Sequence, residues 1–324
     1  MSPFCCSIVI FYKEDCASDQ ALAKQAGIPG QECYLYCKRS RFVKDREASA
    51  SACDSEMVDL EKTLLRKVGE AIGRFRMIRD GDRVAVGLSG GKDSLTLLEI
   101  LLLLQKRAPI HFTVRAFSIE QGKFLSPIQP VGEYLKARGI DWTYVEDAPS
   151  LTLITEQPGH GCDLCSRFRR RAVYQVARTL GANVIAFGHT ADDFCESFLR
   201  NAMFNGRISA LPAVTWSSKR EFRLIRPLVY VTENLTRDFA ASLGAPVIPC
   251  GCSQKTGTVR RTLRDMFGEI ENEHPFLKET LLSAMGKIEP GRLLDTRFLD
   301  LDGGSDEAGF LENAPELVAL TPGK

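Results

Sequence analysis

The chain has 324 residues, of which 44% are hydrophobic and 26% are charged, and these values are typical of a globular protein. The formal net charge of +1 gives no general attraction to nucleic acid, so any nucleic-acid surface must be local. Apolar runs such as Ile100–Leu104 are far too short to span a bilayer, and no secretory signal is recognisable. We therefore expect a cytoplasmic protein without a membrane partner, whose 11 cysteines are thiols or metal ligands rather than disulfides.

The first fifty residues differ from the rest because they are rich in cysteine and lack sustained hydrophobic periodicity. Cys33 and Cys37 have the spacing of half a zinc site, but no second pair of His or Cys lies at a matching distance. This favours a weakly ordered extension over residues 1–53, with a metal module as the alternative. The sequence predicts one domain over residues 54–300 and a flexible acidic tail over residues 301–324.

Hydrophobic periodicity predicts that helices and strands alternate along that domain. A helical lead-in begins near Ser55. In chain order, the predicted elements after it are strand Val84–Leu88, helix Ser94–Gln105, strand Ile110–Ile119, helix Val131–Arg138, strand Asp141–Val145, a loop, helix Arg167–Leu180, strand Asn183–Phe187, a helix ending at Phe204, an antiparallel excursion over 214–230, and helices Thr232–Leu243, Val259–Phe267 and Phe276–Met285. This order predicts an α/β fold with a parallel sheet, helices on both faces and additional C-terminal helices.

The segment Ser89-Gly90-Gly91-Lys92-Asp93-Ser94 joins the first strand to the next helix. Its glycines let backbone N–H groups approach an anion, and the positive end of the helix points to the same place. Lys92 adds a mobile positive charge, and the serines add hydroxyl donors. The residues differ from the common nucleoside-triphosphate loop and from the dinucleotide fingerprint. The segment predicts a phosphate site, the alternative being a glycine-rich surface turn.

A second polar turn, Gly188-His189-Thr190-Ala191-Asp192-Asp193, follows another buried strand. Ligands of parallel sheets bind at the carboxyl ends of strands, so this turn and the glycine-rich loop could share one pocket. Carboxylate oxygens suit Mg²⁺ that is bound to phosphates. The alternative is a helix start that is stabilised by acidic residues without any ligand.

Two pairs of cysteines lie about 85 residues apart, Cys162 with Cys165 and Cys250 with Cys252. Taken alone, these cysteines could bind a metal, form a redox pair or bind an iron–sulfur cluster, or their spacing could be a coincidence. Three thiolates on a four-iron cluster would leave one iron without a protein ligand, which could hold a sulfide.

Arginines follow both cysteine pairs, and a polyanionic RNA could bind there. The alternative is that they lie on solvated helix faces. The candidate RNA contacts are Arg167, Arg169, Arg170, Arg171, Arg260, Arg261 and Arg264.

Several of these motifs resemble one superfamily. Ser-Gly-Gly-Lys-Asp-Ser resembles the signature of the PP-loop ATP pyrophosphatases, and Gly188–Asp193 resembles the Gly-His-Asn-x-Asp-Asp segment of its tRNA-thiolating members, with Thr190 in place of Asn. The segment Cys162–Arg170 is similar to the Cys-x-x-Cys-Ser-Arg-x-Arg-Arg segment of the tRNA-cytidine(32) 2-sulfurtransferases. The resemblance runs from about residue 60 to about residue 300, and its further matches are Ile225–Leu228, Ile248–Cys250 and Leu282–Met285.

The resemblance implies a PP-loop, adenine nucleotide α hydrolase-like fold. It also implies ATP-dependent 2-thiolation of a cytidine in tRNA, at position 32, with sulfur that a donor such as a cysteine desulfurase supplies. The catalytic residues would be Lys92, Asp192, Cys162 and Cys165; ATP would bind Ser89, Gly90, Gly91, Lys92, Asp93, Ser94, Gly188, His189, Asp192 and Asp193; Mg²⁺ would bind Asp93 and Asp192; and a [4Fe–4S] cluster would bind Cys162, Cys165 and Cys250, with Cys252 in reserve.

Two departures from the family pattern matter. Only Gly251 separates the last two cysteines, where the family has two residues, and Ile119-Glu120-Gln121 replaces its Leu-Asp-Gln. Three other functions remain open. They are a PP-loop enzyme that forms amides or amidines, thiolation through a persulfide on Cys162 or Cys165 without a cluster, and a non-enzymatic protein that binds RNA or a cluster. The sequence leaves open whether the protein is a homodimer.

Overall fold

The computed structural model describes residues 58–122, 124, 126–156, 162–248 and 258–299. The chain divides into two units, residues 1–60 and 61–324. The N-terminal extension and the acidic tail that we predict lie outside the described residues, so both stay predictions. No helix in the described part is long and apolar enough to cross a membrane.

Helices and strands alternate through most of the second unit. The α-helices are α1 (58–74), α2 (Lys92–Arg107), α3 (Gln129–Ala137), α4 (Ala148–Glu156), α5 (Cys162–Thr179), α6 (Ala191–Phe204), α7 (Glu233–Ser242), α8 (Thr258–Glu273) and α9 (Leu277–Met285). The strands are β1 (Arg83–Gly87), β2 (Thr113–Glu120), β3 (Trp142–Glu146), β4 (Val184–Ala186), β5 (Val214–Trp216) and β6 (Arg223–Ile225), and short 3₁₀ turns occupy Pro227–Tyr230, Pro290–Arg292 and Thr296–Phe298.

The six strands form one sheet in the order β3-β2-β1-β4-β6-β5. Every adjacent pair is parallel except β5 and β6, which are antiparallel. The predicted α/β fold with a parallel sheet is confirmed, and so is the antiparallel excursion. Because the chain moves outward from β1 to β2 and β3 and then returns to β4 on the other side, the strand order reverses between β1 and β4. Such a reversal opens a crevice at the carboxyl ends of the strands.

Both faces of the central strands are covered, which is why β1 is apolar from Val84 to Val86. Ala85 belongs to a buried cluster with Phe117 and Ile185, and this cluster includes Val173, Val176 and Ala177 of α5. The alternate residues Val84 and Val86 are also buried, with 2% and 0% exposure. The core therefore surrounds the strands whose ends carry the polar loops.

The sequence prediction was wrong about the segment between β3 and α5. It assigned a loop there, but the structure has helix α4, and α5 begins at Cys162 rather than at Arg167. Pro149 is the second residue of α4, a position in the first turn where proline removes no helical hydrogen bond. The helix is only nine residues long, so it was too short to give a clear period in the sequence.

Candidate active site

The glycine-rich loop forms a tight turn between β1 and α2. Gly90 has a φ of +75°, a conformation that residues with a Cβ atom rarely adopt. The Ser89 N–H donates to the Ser94 hydroxyl at 3.2 Å, and that hydroxyl donates to the Gly91 carbonyl at 2.9 Å. The Ile248 N–H donates to the Gly90 carbonyl at 2.8 Å, so the chain that leads to Cys250 lies against this loop.

The second polar turn packs directly onto the glycine-rich loop. A Cβ atom on Gly188 would lie 2.9 Å from the Ser94 nitrogen and 3.0 Å from the Asp93 carbonyl carbon. Only glycine permits this approach, because a side chain would push the two backbones apart. The structure thus brings together the two turns that the sequence predicts in one pocket, on either side of the point where the strand order reverses.

Helix α7 connects the acidic residues of the two turns. Lys92 Nζ donates to Asp93 Oδ1 at 2.9 Å and lies 3.5 Å from Glu233 Oε2. The Thr236 hydroxyl donates to Asp93 Oδ1, and the Glu233 N–H donates to Asp192 Oδ2 at 2.8 Å. Both carboxylates that we predict as Mg²⁺ ligands are therefore held by the first turn of α7.

The two aspartates of the second turn have different surroundings. Asp192 Oδ1 lies 2.7 Å from Lys278 Nζ, which also pairs with Glu271 at 2.8 Å. Asp193 accepts the Thr190 N–H at 3.0 Å and so closes a capping box at the start of α6. Asp193 therefore stabilises the helix start, while Asp192 pairs with Lys278 of α9.

Helix α8, which follows the segment with Cys250 and Cys252, is tied to the nucleotide side by two arginines. Arg260 pairs with Asp193 at 2.8 Å and with Glu196 at 2.5 Å. Arg264 pairs with the same Glu196 at 2.5 Å and with Glu233 at 3.3 Å. Hydrogen bonding to Glu196 raises the pKa of Arg264 above its ordinary value. We call this set of five side chains the arginine clamp.

The arginines of α5 fall into two groups. Arg169 Nε donates to Gln121 Oε1 at 3.2 Å, and Arg171 lies 3.0 Å from Asp147 Oδ1. Both contacts hold α5 against the ends of β2 and β3. All four arginines are exposed, as is Arg261 on α8, so the groups differ in their contacts rather than in exposure. Arg170 Nε donates to the Ser166 carbonyl of its own helix at 3.3 Å. The assignment of these arginines to RNA stays a prediction, but Arg169, Arg171, Arg260 and Arg264 have partners within the protein.

The resemblance implies bound Mg²⁺ and a [4Fe–4S] cluster, and the chemistry of the residues present is suitable for both. Two carboxylates at a phosphate-binding loop suit Mg²⁺, because Mg²⁺ is commonly held by one or two carboxylates together with substrate phosphates. Thiolates suit an iron–sulfur cluster. Cys162 and Cys165 lie in the first turn of α5, where Cys165 is half-buried. The Cys162 side chain and both Cys250 and Cys252 lie outside the described residues. Within the described ranges, no three His, Cys, Asp or Glu side chains form a metal-binding group.

Sequence reasoning missed the residues that hold the site together. Glu233, Thr236 and Lys278 contact the predicted aspartates from positions 41 to 143 residues away along the chain, and no local pattern marks them. Glu196 could have been found, because it lies three residues after Asp193 on the same helix face. Cys195 on α6 is a core residue: it is fully buried, and burial raises the pKa of its thiol to about 12.

A doubly wound sheet with a glycine-rich phosphate loop at the strand reversal defines the class of PP-loop α/β proteins. Among solved structures, the U34-tRNA thiolase NcsA from Methanococcus maripaludis, described with its [4Fe–4S] cluster, shares this fold. The two superpose with a TM-score of 0.57 at 23% identity, over 71% of this chain and 80% of that one. No model of a protein family matches the chain.

Curated relatives identify the family. The tRNA-cytidine(32) 2-sulfurtransferase of Ralstonia nicotianae is 38% identical over 248 residues, which are 75% of this chain and 79% of that protein. The enzyme of the same name from Escherichia coli O127:H6 is 39% identical over 272 residues, 81% of this chain and 87% of that protein. The chain belongs to the tRNA-cytidine(32) 2-sulfurtransferase family, and it is a sulfurtransferase enzyme.

Proposed function

We propose that this enzyme thiolates a cytidine of tRNA, at position 32, at the expense of ATP. The observation that supports this most directly is the contact between Gly188 and the backbone at Asp93 and Ser94. It joins a phosphate-binding loop to a carboxylate-bearing turn within one crevice, in a chain from a sulfurtransferase family. The proposed tRNA substrate is consistent with a cytoplasmic enzyme, with a cysteine desulfurase as sulfur source and with a monomer or a homodimer.

In this proposal, the backbone and hydroxyl donors of Ser89–Ser94 bind the ATP phosphates. Lys92, held beside Asp93 and Glu233, stabilises the negative charge that develops on the departing pyrophosphate. Gly188, His189, Asp192 and Asp193 form the other wall of the nucleotide site. Asp93 and Asp192 would hold Mg²⁺, which neutralises phosphate charge when it is bound.

The activation step needs no proton transfer. The C2 oxygen of cytidine attacks the α-phosphorus, a bond forms between them, and the bond from the α-phosphorus to the bridging oxygen of pyrophosphate breaks. Pyrophosphate leaves with the electron pair, and the pyrimidine ring carries the positive charge. Sulfide then adds to C2 and loses its proton, and AMP leaves with the electron pair of the C2–O bond. Adenylation is required because an unactivated oxygen is a poor leaving group.

Cys162, Cys165 and Cys250, with Cys252 in reserve, would bind a [4Fe–4S] cluster, whose iron without a protein ligand supplies a place to hold sulfide. The arginine clamp ties α8, which follows Cys250, to the nucleotide side. The exposed Arg167, Arg170 and Arg261 would contact tRNA phosphates. In this proposal, the acceptor base binds between the cysteines and ATP.

The test is anaerobic reconstitution followed by mass analysis of nucleosides from tRNA that was incubated with ATP and sulfide. We expect 2-thiocytidine together with one AMP and one pyrophosphate for each thiolation. Lys92→Met should slow pyrophosphate release by about 100- to 1,000-fold, the loss expected when a charge-stabilising donor is removed. The matched control Lys106→Met, an exposed lysine at the other end of the same helix, should retain full activity.

The alternatives predict different products. A different thionucleoside would contradict the cytidine assignment, and tRNA-dependent AMP formation without any thionucleoside would indicate amide or amidine formation. Active protein without iron would favour a persulfide on Cys162 or Cys165. Absence of any RNA-dependent pyrophosphate release would favour a binding protein. Cys165→Ser should lower the iron content, whereas Cys195→Ala, which changes a buried core thiol, should not.

A further inference from the structure

Arg226 has an unusual environment at the end of β6. It follows Ile225, the last residue of that strand. Among the residues that the structure describes, two buried side-chain nitrogens have no hydrogen-bond partner, Arg226 Nε and His189 Nδ1. Buried polar groups are nearly always hydrogen-bonded, so two such atoms in one place point to a missing ligand.

The two side chains lie on the same aromatic ring. The Arg226 guanidinium carbon is 5.9 Å from the centroid of Phe187, and the His189 ring meets Phe187 edge-on at 6.0 Å. Arg226 Nη1 donates to the Pro212 carbonyl at 2.7 Å, which fixes one end of the guanidinium. The side chain is therefore oriented in advance, with its Nε–H still available for a further acceptor.

The charges around this pair favour an anionic ligand. Burial lowers the pKa of His189, and Arg226, Arg260 and Arg169 lower it further, while Asp193 opposes them. The imidazole is thus neutral at physiological pH and can carry its one hydrogen on Nδ1. Burial also lowers the pKa of Arg226, but an arginine guanidinium remains charged in proteins. Three guanidinium groups and one carboxylate thus act electrostatically on His189.

The position of Arg226 and His189 relative to the phosphate loop indicates which part of ATP they could bind. His189 follows Gly188, whose backbone touches Asp93 and Ser94 at the start of α2. Arg226 lies one strand further out, since β6 pairs with β4 and β4 pairs with β1. If the loop binds the departing pyrophosphate, the unsatisfied donors of Arg226 and His189 favour an ATP orientation in which the neighbouring α-phosphoryl group lies on their side of the loop.

We propose that Arg226 is a catalytic residue of the activation step, and that its Nε–H and His189 Nδ1 contact the non-bridging oxygens of the α-phosphoryl group of ATP. This inference rests on the proposed function. As the cytidine C2 oxygen bonds to the α-phosphorus and the bond to pyrophosphate breaks, negative charge shifts over those oxygens. A buried, fixed donor stabilises this charge more than a solvated one, because it needs no reorganisation during the reaction.

The test uses reconstituted enzyme, tRNA and the two diastereomers of ATP that carry sulfur at a non-bridging α-position. We expect Arg226→Gln to lower kcat for tRNA-dependent pyrophosphate release by about 100- to 1,000-fold, with less change in the KM for ATP. The wild type should strongly prefer one diastereomer, and Arg226→Gln should lose that preference. Arg226→Lys, which keeps the positive charge, should recover part of kcat.

The controls separate this inference from its alternatives. Arg207→Gln, which changes an exposed arginine of the loop before β5, should behave as the wild type. If Arg226→Gln keeps its diastereomer preference while its thermal stability falls, Arg226 is only structural and the inference is wrong. If kcat is unchanged in folded Arg226→Gln, the inference is also wrong, although the proposed function stands. If the wild type releases no pyrophosphate in response to tRNA, the proposed function itself fails.

Discussion

Two arginines at opposite ends of β6 show how the two ends of the parallel strands differ. We call the side of the sheet where these strands begin the amino edge and the side where they end the carboxyl edge. Arg223, the first residue of the strand, donates to the Met77 carbonyl at 3.1 Å and pairs with the buried Asp82. Arg226, just after the strand, has a buried Nε without a partner among the described residues. Arg223 is buried and Arg226 is half-buried. Of the two, Arg223 has its charge neutralised by a close carboxylate.

At the amino edge, a network of hydrogen bonds centred on Asp82 stabilises the fold. Asp82 accepts hydrogen bonds from the Arg79 N–H at 2.6 Å and from Asn183 Nδ2 at 2.8 Å, and it also binds Arg223. The carboxyl edge instead has Arg226, whose guanidinium is fixed by its bond to the Pro212 carbonyl while its Nε has no partner among the described residues. A polar group that is buried and satisfied contributes to stability, whereas one that is fixed and unsatisfied is ready to bind a ligand.

Of the variants that test this difference between the two ends of the strands, Arg223→Met should have the largest effect on stability. Removal of one partner of a buried ion pair leaves the other charge uncompensated, so the free energy of unfolding should fall by about 3–5 kcal/mol. Chemical denaturation measures this change. The double variant Asp82→Asn, Arg223→Met should lose less than the sum of the single variants. A loss below about 1 kcal/mol for Arg223→Met would contradict the structural role of this edge.

Gly188→Ala tests the carboxyl edge by separating its two loops. Because the new Cβ would lie 2.9 Å from the Ser94 nitrogen, we expect tRNA-dependent pyrophosphate release to slow by about 100-fold, the typical effect of a 1 Å misplacement. The matched control is Gly268→Ala in α8, where nothing lies within 4 Å of the added atom. The control should keep its activity and gain about 0.5–1 kcal/mol of stability. Equal activities of the two variants would argue against a shared pocket.

The arginines near the cysteines can also be divided into those proposed to bind RNA and those that stabilise the protein. Arg170→Gln and Arg261→Gln should each reduce the salt dependence of tRNA binding by about one unit of log–log slope without loss of stability. Arg264→Gln should instead lower the free energy of unfolding, by less than about 1 kcal/mol because its side chain is 53% exposed. Binding isotherms at several salt concentrations, with denaturation curves, distinguish the groups. A full slope change for Arg264→Gln with unchanged stability would assign the clamp to RNA.

The smallest expected effect is on the pH dependence of stability. Since burial lowers the pKa of His189 from its ordinary 6.5, the unfolded chain binds a proton there that the folded chain does not. The stabilisation is complete above pH 6.5 and is lost as the pH falls below it. His189→Asn should therefore flatten the stability profile below pH 6.5, where the wild type loses stability. An unchanged profile would show that Asp193 keeps His189 protonated in the folded state.

Much of the fold and part of the site were predictable, because both depend on local sequence. Alternating apolar runs predicted the parallel strands. The predicted start of helix Thr232–Leu243 agrees with the structure, in which Thr232 is the N-cap of α7 and its hydroxyl accepts the Leu235 N–H. Helix α4 was missed because its nine residues include a proline and give little periodicity. The amino-acid types in Ser89–Ser94 predicted a phosphate loop, since six consecutive residues contain all the groups that such a loop needs.

Tertiary structure alone decided which charged side chains face a partner in the protein and which face the crevice. In the sequence, Arg223 and Arg226 are two similar arginines around one apolar strand. Asp82 lies 141 residues from Arg223, and Asp193 lies 67 residues from Arg260. Such pairings depend on how the strands and helices are placed against each other, and no local period encodes them. The sequence by itself determined the residue types of each loop, whereas the strand reversal between β1 and β4 determined that the two loops lie in contact.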